Sequence, residues 1–414
     1  MADVVVAGGG ILGATAALHL AEAGADVVLV EREPALGTQT TAAGAGFVGY
    51  WAGTLEAELA EYGMRFYRDL QDRAGADLGV RRVGLLFPAL SEAGVEMLRQ
   101  EYEREREFAP GVVLLDEAET LRRAPVLAPG SVHGALFQPD AHQVDTVKVM
   151  RALEAELRAA GVAVRTGVAV EEAIVEGGRV TAVRTSAGTI PTGAMVNAAG
   201  AAAHALAARS GVMVAAVPLL ESRFTTDPLP GVTRDLPMML FFERDLLYLR
   251  EDEGGLLVGA IERTIDDPSR VALSDPPRTA ELPAHAVREH EQLARELAGV
   301  IPVLGDARVH GRASGLPTWT PDGRHIVGPA AEIEGYVVLA GCNECCVTHG
   351  PGLSRIVAEL VTAGTTEADI SPYRVERFAE LPAEEIQAGA EEQYLLRHPP
   401  AEGVAATPFG IELP

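Results

Sequence analysis

Three cysteines, Cys342, Cys345 and Cys346, fall within five positions of the stretch "AGCNECCVTHGPG" (340–352), and His349 follows three residues later. These four side chains formally complete a tetrahedral zinc set. No second ligand pair brackets the loop, however, so no metal is assigned. Cys342-x-x-Cys345 has the spacing of a redox dithiol, which in flavin disulfide reductases works beside a nicotinamide site. The third reading is of small thiols that are buried or face a ligand, and it is favoured because spacing alone is weak support for a redox pair.

A second pattern with chemical potential lies at the N-terminus. In "DVVVAGGGILGATAALHLAEAGADVVLVERE" (3–33), Gly8, Gly10 and Gly13 fit G-x-G-x-x-G. Gly8 allows a tight turn, Gly10 lets a pyrophosphate approach the backbone, and Gly13 lets a helix pack on a strand. The helix start offers free N–H groups and a positive dipole end to phosphates. Glu31 can accept hydrogen bonds from both ribose hydroxyls. A further formal match, Gly44, Gly46 and Gly49, has no β-branched strand before it and no acid-ended strand after it. It reads as backbone packed close to a flat ligand, which leaves no second nucleotide site and no nicotinamide site.

The elements that must position these residues follow from apolar periodicity. Val4, Val5 and Val6 begin a buried parallel strand. A helix over Leu12–Ala23 stops at Gly24, and Asp26–Val30 is the second strand. After a long loop of small residues comes a helix near Thr54–Leu70. Strands in "VRRVGLLFPA" and "SVHGALFQP" surround the helix Glu92–Glu107. Residues 142–167 read as helix then strand, and 169–200 as an antiparallel meander ending in a buried strand. The segment 213–320 is mostly β, with "LLYLREDEGGLLVGAIE" as a hairpin. A last buried strand leads into the cysteine loop and then a helix over Gly352–Thr362. Residues 376–414 form a tail rich in Glu, Ala and Pro.

The order implies an α/β (α+β) fold: a Rossmann-like dinucleotide-binding domain from three pieces (1–76, 141–212 and 306–375). A mainly antiparallel substrate domain is inserted in two (77–140 and 213–305). At 414 residues the chain can bury a large core. Apolar residues make up 48% and charged residues 22%, as expected of a globular chain. No apolar run reaches the ~18–20 residues that span a bilayer. There is no basic leader before the first strand, and cysteine is sparse, so a reducing cytoplasm is expected. The net charge of −25 argues against nucleic acid and anionic membrane as partners.

With these residues placed, the chain resembles the D-amino-acid oxidase-like superfamily of FAD-dependent oxidoreductases, most closely its sarcosine oxidase and dimethylglycine dehydrogenase branch. The resemblance covers about 1–380. It rests on the fingerprint, "TTAAGAG" (40–46), "VDTVKVMRALEAELRAAGVAV" (144–164), "NAAGAAA" (197–203), "TPDGRHIVGP" with "GYVVLAG" (320–341), and "DISPYRVERFA" (369–379). It implies that Gly8, Gly10, Ile11, Leu12 and Gly13 hold the pyrophosphate of FAD, and that Glu31, with Arg32 beside it, holds the ribose. Thr40, Thr41, Ala42, Ala43 and Gly44 would run along the flavin ring. Val170 would meet the adenine, and Gly200 would lie near the cofactor. The loop Gly341–Thr348, including Glu344, Cys345, Cys346 and Val347, would cover the pyrimidine end.

The departures also carry information. Relatives with covalent FAD use a histidine in the first flavin loop, which is absent here, or a cysteine at a position that falls near Gly315; FAD is therefore expected to be non-covalent. Sarcosine oxidases have a lysine where this chain has Thr348. The arginine that amino-acid oxidases turn on a substrate carboxylate falls near Pro317. For the substrate, Tyr248 sits where relatives place a pocket tyrosine, and Arg250 would share its face. His349 would reach the flavin or cap the helix, and Trp319 would wall the pocket or pack in the core.

The resemblance implies oxidation of a small secondary or tertiary amine or amino-acid derivative to an imine that hydrolyses, with O₂ or another electron acceptor. A 2-hydroxy-acid oxidoreductase, or a non-catalytic redox sensor using the cysteine loop, are the alternatives. The sequence specifies neither the substrate nor the oligomeric state.

Overall fold

Val4 and Val6 face one side of the central sheet and Val5 and Ala7 the other, which is why the first strand, Ala2–Ala7, is apolar from Val4 onward. The computed structural model of the chain describes residues 2–50, 53–243, 247–260 and 294–397. Five parallel strands run in the order Ala163–Thr166, Val27–Glu31, Ala2–Ala7, the second half of Gly188–Asn197, and Tyr336–Ala340. Ile326–Pro329 adds antiparallel to the last. Burial on both faces selects the Val-rich runs seen here. The first half of Gly188–Asn197 instead completes the meander with Val170–Glu176 and Arg179–Thr185.

Helices pack together on one face of this sheet. The fingerprint helix Ile11–Glu22 is buried nearly all round because it lies on the sheet and packs against the helices Cys346–Ala363 and Thr146–Ala159. Thr15 Oγ1 lies 2.7 Å from Ser354 Oγ, and that serine also donates to the Leu12 carbonyl at 3.0 Å, so the two helices are tied by a polar bridge inside the core. A further helix, Thr54–Ala74, crosses closely: a Cβ on its Gly63 would lie 2.3 Å from the Thr348 carbonyl.

A second, mixed sheet has the order Val309–Gly315, Glu221–Thr226, Gly255–Ala260, Leu247–Asp252, Met238–Phe241, Leu85–Ala89, Gly134–Gln138 and Val113–Leu115. All its pairs are antiparallel except Met238–Phe241 with Leu85–Ala89, where two distant stretches of chain meet. The piece that the sequence assigned to the nucleotide unit from 306 onward thus begins with an edge strand of this other sheet. The tail carries a helix, Ala383–Arg397, whose Ile386, Ala390 and Tyr394 are buried. Tyr394 meets Trp319 edge-on at 5.3 Å, so this tryptophan is packed in the core. Among the described residues no helix is long and apolar enough to cross a membrane. Both ends of the hairpin quoted above, 246 and 261–262, lie outside the described residues.

Candidate active site

The glycine turn is built for close approach. Gly8 has φ +104°, and a Cβ there would sit 2.4 Å from the Ala198 carbonyl oxygen. A Cβ on Gly13 would sit 1.8 Å from the Gly8 carbonyl, so Gly13 serves helix-on-strand packing and does not border the cavity. Gly8, Gly10, Ile11, Leu12, Glu31 and Arg32 all line one cavity. Glu31 also works inside the protein: its carboxylate accepts the Gly9 N–H at 2.6 Å and the Glu33 N–H at 2.8 Å. Each oxygen retains a lone pair for a ribose hydroxyl. Val170, at the start of its strand, does not line the cavity.

The loop of small residues does line it, through Thr40, Thr41, Ala43, Gly44, Ala45 and Gly46. Thr40–Ala43 is a single helical turn rather than open loop, and Ala42 points elsewhere. Thr41 Oγ1 accepts the Ile11 N–H at 3.1 Å and Thr40 Oγ1 accepts the Leu316 N–H at 3.0 Å, which ties this turn to the fingerprint helix and to the second sheet. Two arginines of the second sheet hold its carbonyls. Arg223 donates to Ala43 at 2.8 Å and to Ala42 at 2.9 Å, and Arg250 donates to Ala45 at 2.6 Å. Arg250 is buried, is also paired with Asp252 at 2.9 Å, and does not border the cavity. Its placement as a substrate clamp is therefore corrected: its guanidinium is spent on the loop. Arg223, which sequence reasoning missed, shares that duty.

The cysteine segment also differs from expectation. The helix starts at Cys346, several residues before Gly352, with Pro351 inside it. Pro351 cannot donate to the Val347 carbonyl, and the Tyr67 hydroxyl does so instead at 2.7 Å. Asn343 and Glu344 both have positive φ, 43° and 66°, and fold the loop back. Asn343 is anchored by its Oδ1, which accepts the Thr320 N–H at 3.0 Å, and by its own N–H, which donates to the Thr318 carbonyl at 2.8 Å. Cys342, Glu344, Cys345, Cys346, Val347 and Thr348 line the cavity, whereas Gly341 does not. The Thr348 hydroxyl donates to the Phe47 carbonyl at 3.0 Å. His349 neither borders the cavity nor caps the helix; its Nδ1 lies 2.9 Å from His325 Nε2 in the core. Among the described residues no group of three or more His, Cys, Asp or Glu is arranged for a metal ion.

At the other end of the cavity stands Tyr248. Its ring lies across Gly259 of the neighbouring strand, where a Cβ would fall 1.8 Å from it, and it meets Phe47 edge-on at 5.7 Å. Glycine at 259 is what lets the phenol lie over the sheet. Burial pushes that phenol well above its ordinary range, so it stays a neutral donor. Beside it are Glu221 and Glu344. Burial, together with the Glu344 charge, pushes the Glu221 carboxyl well above the usual carboxylate range. Its Oε1 is buried with no hydrogen-bond partner. Glu221 escaped sequence reasoning because an acid at the start of "ESRFTT" reads as the solvated end of a strand. Only the return of the chain at 344 shows otherwise. Arg32, at the opposite end, is the one Arg or Lys lining the cavity among the described residues.

Comparison with known proteins gives this geometry a context. The family model described as "DAO: FAD dependent oxidoreductase" matches residues 3–360. The chain is 29% identical over 386 residues to 4-methylaminobutanoate oxidase (formaldehyde-forming) of Paenarthrobacter nicotinovorans, covering 91% of this chain but only 45% of that longer protein. It is also 29% identical over 387 residues to an uncharacterized oxidoreductase of Bacillus subtilis (strain 168), covering 90% of this chain and 98% of that one. Among solved structures, L-proline dehydrogenase from P. horikoshii superposes with a TM-score of 0.80 at 23% identity, covering 91% of this chain and 98% of the other.

Proposed function

Because the chain belongs to the DAO family of FAD-dependent oxidoreductases, we propose that it oxidises a C–N bond in a small secondary or tertiary amine or amino-acid derivative. The observation that carries this reading is one cavity running from the glycine turn, past the 40–46 loop, to Tyr248 and Glu221. The residues fit the cofactor. A glycine turn without room for a Cβ and a helix N-terminus suit the pyrophosphate, Glu31 suits the ribose, and the small-residue loop suits a flat ring. FAD, where bound, supplies the two-electron acceptor for this chemistry.

The protein must then bind, orient and deprotonate the substrate. An amine must be neutral before its nitrogen lone pair can expel a hydride from the adjacent carbon. Glu344, the charged neighbour that helps keep Glu221 protonated, is the carboxylate that accepts the ammonium proton, and Tyr248 donates its hydroxyl to orient the bound molecule. The product imine or iminium hydrolyses to carbonyl and amine. A relative whose name records action on a methylamino acid supports this class. FAD is held without a covalent bond, the two sheets divide the work of cofactor and substrate, and the electrons leave to O₂ or another acceptor. Free cysteines suit a reducing cytoplasm.

The test is anaerobic mixing of the yellow protein with a panel of N-methyl amines, amino acids and 2-hydroxy acids. Bleaching by amines alone is expected. Bleaching by hydroxy acids alone would replace this reading with its oxygen counterpart.

A further inference from the structure

Strand register decides which side chains of the second sheet reach the cavity. Arg223 lies opposite Gly259, and Gly259 lies opposite Tyr248. Residues opposite each other, and residues two apart along a strand, share a face. Glu221, Arg223, Tyr248 and Arg250 therefore stand on one face. That face is turned to the 40–46 loop, because its two arginines end on loop carbonyls: Arg223 on Ala42 and Ala43, Arg250 on Ala45. Neither arginine borders the cavity, whereas Glu221 and Tyr248 do. Both cations of this face are thus turned away from the space for substrate, and its acid is turned into it.

A second acid arrives from the cysteine segment, and residues 315–318 tie the two together. Gly315 pairs with Glu221, and the Pro317 carbonyl accepts the Leu219 N–H at 3.0 Å. The Thr318 carbonyl accepts the Asn343 N–H at 2.8 Å, which brings the neighbouring Glu344 to the same place. Glu221 and Glu344 line the cavity together with the uncharged Leu240, Leu316 and Pro317. Glu221 Oε1 is buried there without a hydrogen-bond partner. Arg32, by the glycine turn, is the one Arg or Lys on the cavity among the described residues.

We infer that the substrate is a diamine-type molecule, an amine that carries a second ammonium group and no carboxylate. This rests on the amine reading above and narrows it. Glu344 serves the nitrogen that is oxidised. Glu221 receives the second ammonium, whose N–H donors need acceptors once water is left behind. Without substrate Glu221 holds a proton, and that proton passes to water as the second ammonium binds. A substrate carboxylate in the same position would meet the Glu344 charge, and no cation among the described residues stands there to pair with it.

The test mixes the FAD-loaded chain anaerobically with N-methylputrescine, N-methylbutylamine and 4-methylaminobutanoate. These share an N-methylamino end, and their other ends are ammonium, methyl and carboxylate. The rate of flavin bleaching at low substrate should fall in that order. The diamine should lead N-methylbutylamine by about tenfold or more, the worth of a hydrogen bond to a charged group. Glu221→Gln should shrink that ratio, which general damage to the fold would not do. An unchanged ratio in that variant overturns the inference. So does a wild type in which the diamine is no faster than N-methylbutylamine, or in which 4-methylaminobutanoate is fastest; either result leaves the amine reading standing. Should Glu221→Gln fail to hold FAD, the wild-type order decides alone. Bleaching by none of the three overturns the diamine inference, and the wider panel of amines and hydroxy acids then judges the reading beneath it.

Discussion

Glu31 shows how one side chain can serve fold and ligand together. Its oxygens hold the Gly9 and Glu33 N–H groups, and the same carboxylate borders the cavity. Glu31→Ala removes both the ribose acceptor and the brace of the glycine turn. FAD affinity should fall by ~1–3 kcal/mol, the worth of charge-assisted hydrogen bonds. Fluorescence titration of apoprotein measures this, and an unchanged affinity would put the ribose elsewhere. Thr348 is a second such case. Reduced flavin passes its first electron to O₂ as superoxide, which a fixed positive charge stabilises. Here the Thr348 hydroxyl is turned onto the Phe47 carbonyl, while Glu221 and Glu344 bring acidic groups to the cavity. The helix dipole adds only about half a charge. Reoxidation by O₂ should be slow and turnover faster with an artificial acceptor, and Thr348→Lys should speed the oxygen reaction. Stopped-flow mixing of reduced protein with oxygenated buffer reads this directly; a wild type that reoxidises as fast as it turns over removes the argument.

At the scale of elements, the strands and helices of the dinucleotide fold were legible because each carries its own period. The fingerprint helix was expected over Leu12–Ala23 and lies at Ile11–Glu22, and the meander is where its turns placed it. What could not be read locally depends on partners far along the chain. Pro351 signals a helix start, but Tyr67, 280 positions before Val347, supplies the missing donor and lets the helix begin at Cys346. Tyr67→Phe should therefore cost about 1–3 kcal/mol, the range for a buried carbonyl left bare. Tyr62→Phe should cost little, since its hydroxyl only reaches His19 at 3.4 Å. Urea unfolding of the two variants compares them, and equal losses would show that Tyr67 acts through packing alone. The helix Glu92–Glu105 likewise hides its chemistry in the sequence. Burial pushes Glu105 up to about 8 and Glu101 up to about 7, although Gln138 donates to Glu105 at 2.8 Å. Such groups hold protons in the folded chain that the unfolded chain has released above its ordinary carboxylate range, about 4.5. Their contribution is full below that range and lost as pH rises toward 8. Glu105→Gln should melt higher than wild type at pH 8 by a few degrees, and the gap should close toward pH 5. A gap independent of pH would mean the carboxyl is ionised in the fold.

The whole molecule brings its candidate site together from stretches of chain spread between Gly8 and Thr348. The glycine turn, the 40–46 loop and residues 198–201 meet strands of the second sheet and the cysteine segment at one cavity. Charge and composition had no bearing on that assembly. The sequence motifs named most of the cofactor side, whereas Glu221 and Arg223 became visible only once both sheets faced the same space. A ligand seated there bridges elements that otherwise touch through a few contacts such as Arg223 to Ala43 and Thr40 to Leu316. FAD should accordingly act as a brace for the fold. If it is held without a covalent bond, stability must follow mass action. At a free concentration one hundred times its dissociation constant it adds about 2.7 kcal/mol, and each further tenfold about 1.4 kcal/mol. The melting temperature of the apoprotein should therefore climb steadily as FAD is added, without a plateau at one equivalent. Acid precipitation should leave the flavin in the supernatant, because Gly315 offers no sulfur where some relatives attach theirs. A melting temperature indifferent to added FAD, with flavin retained in the washed pellet, would show a covalent link through a residue other than Gly315.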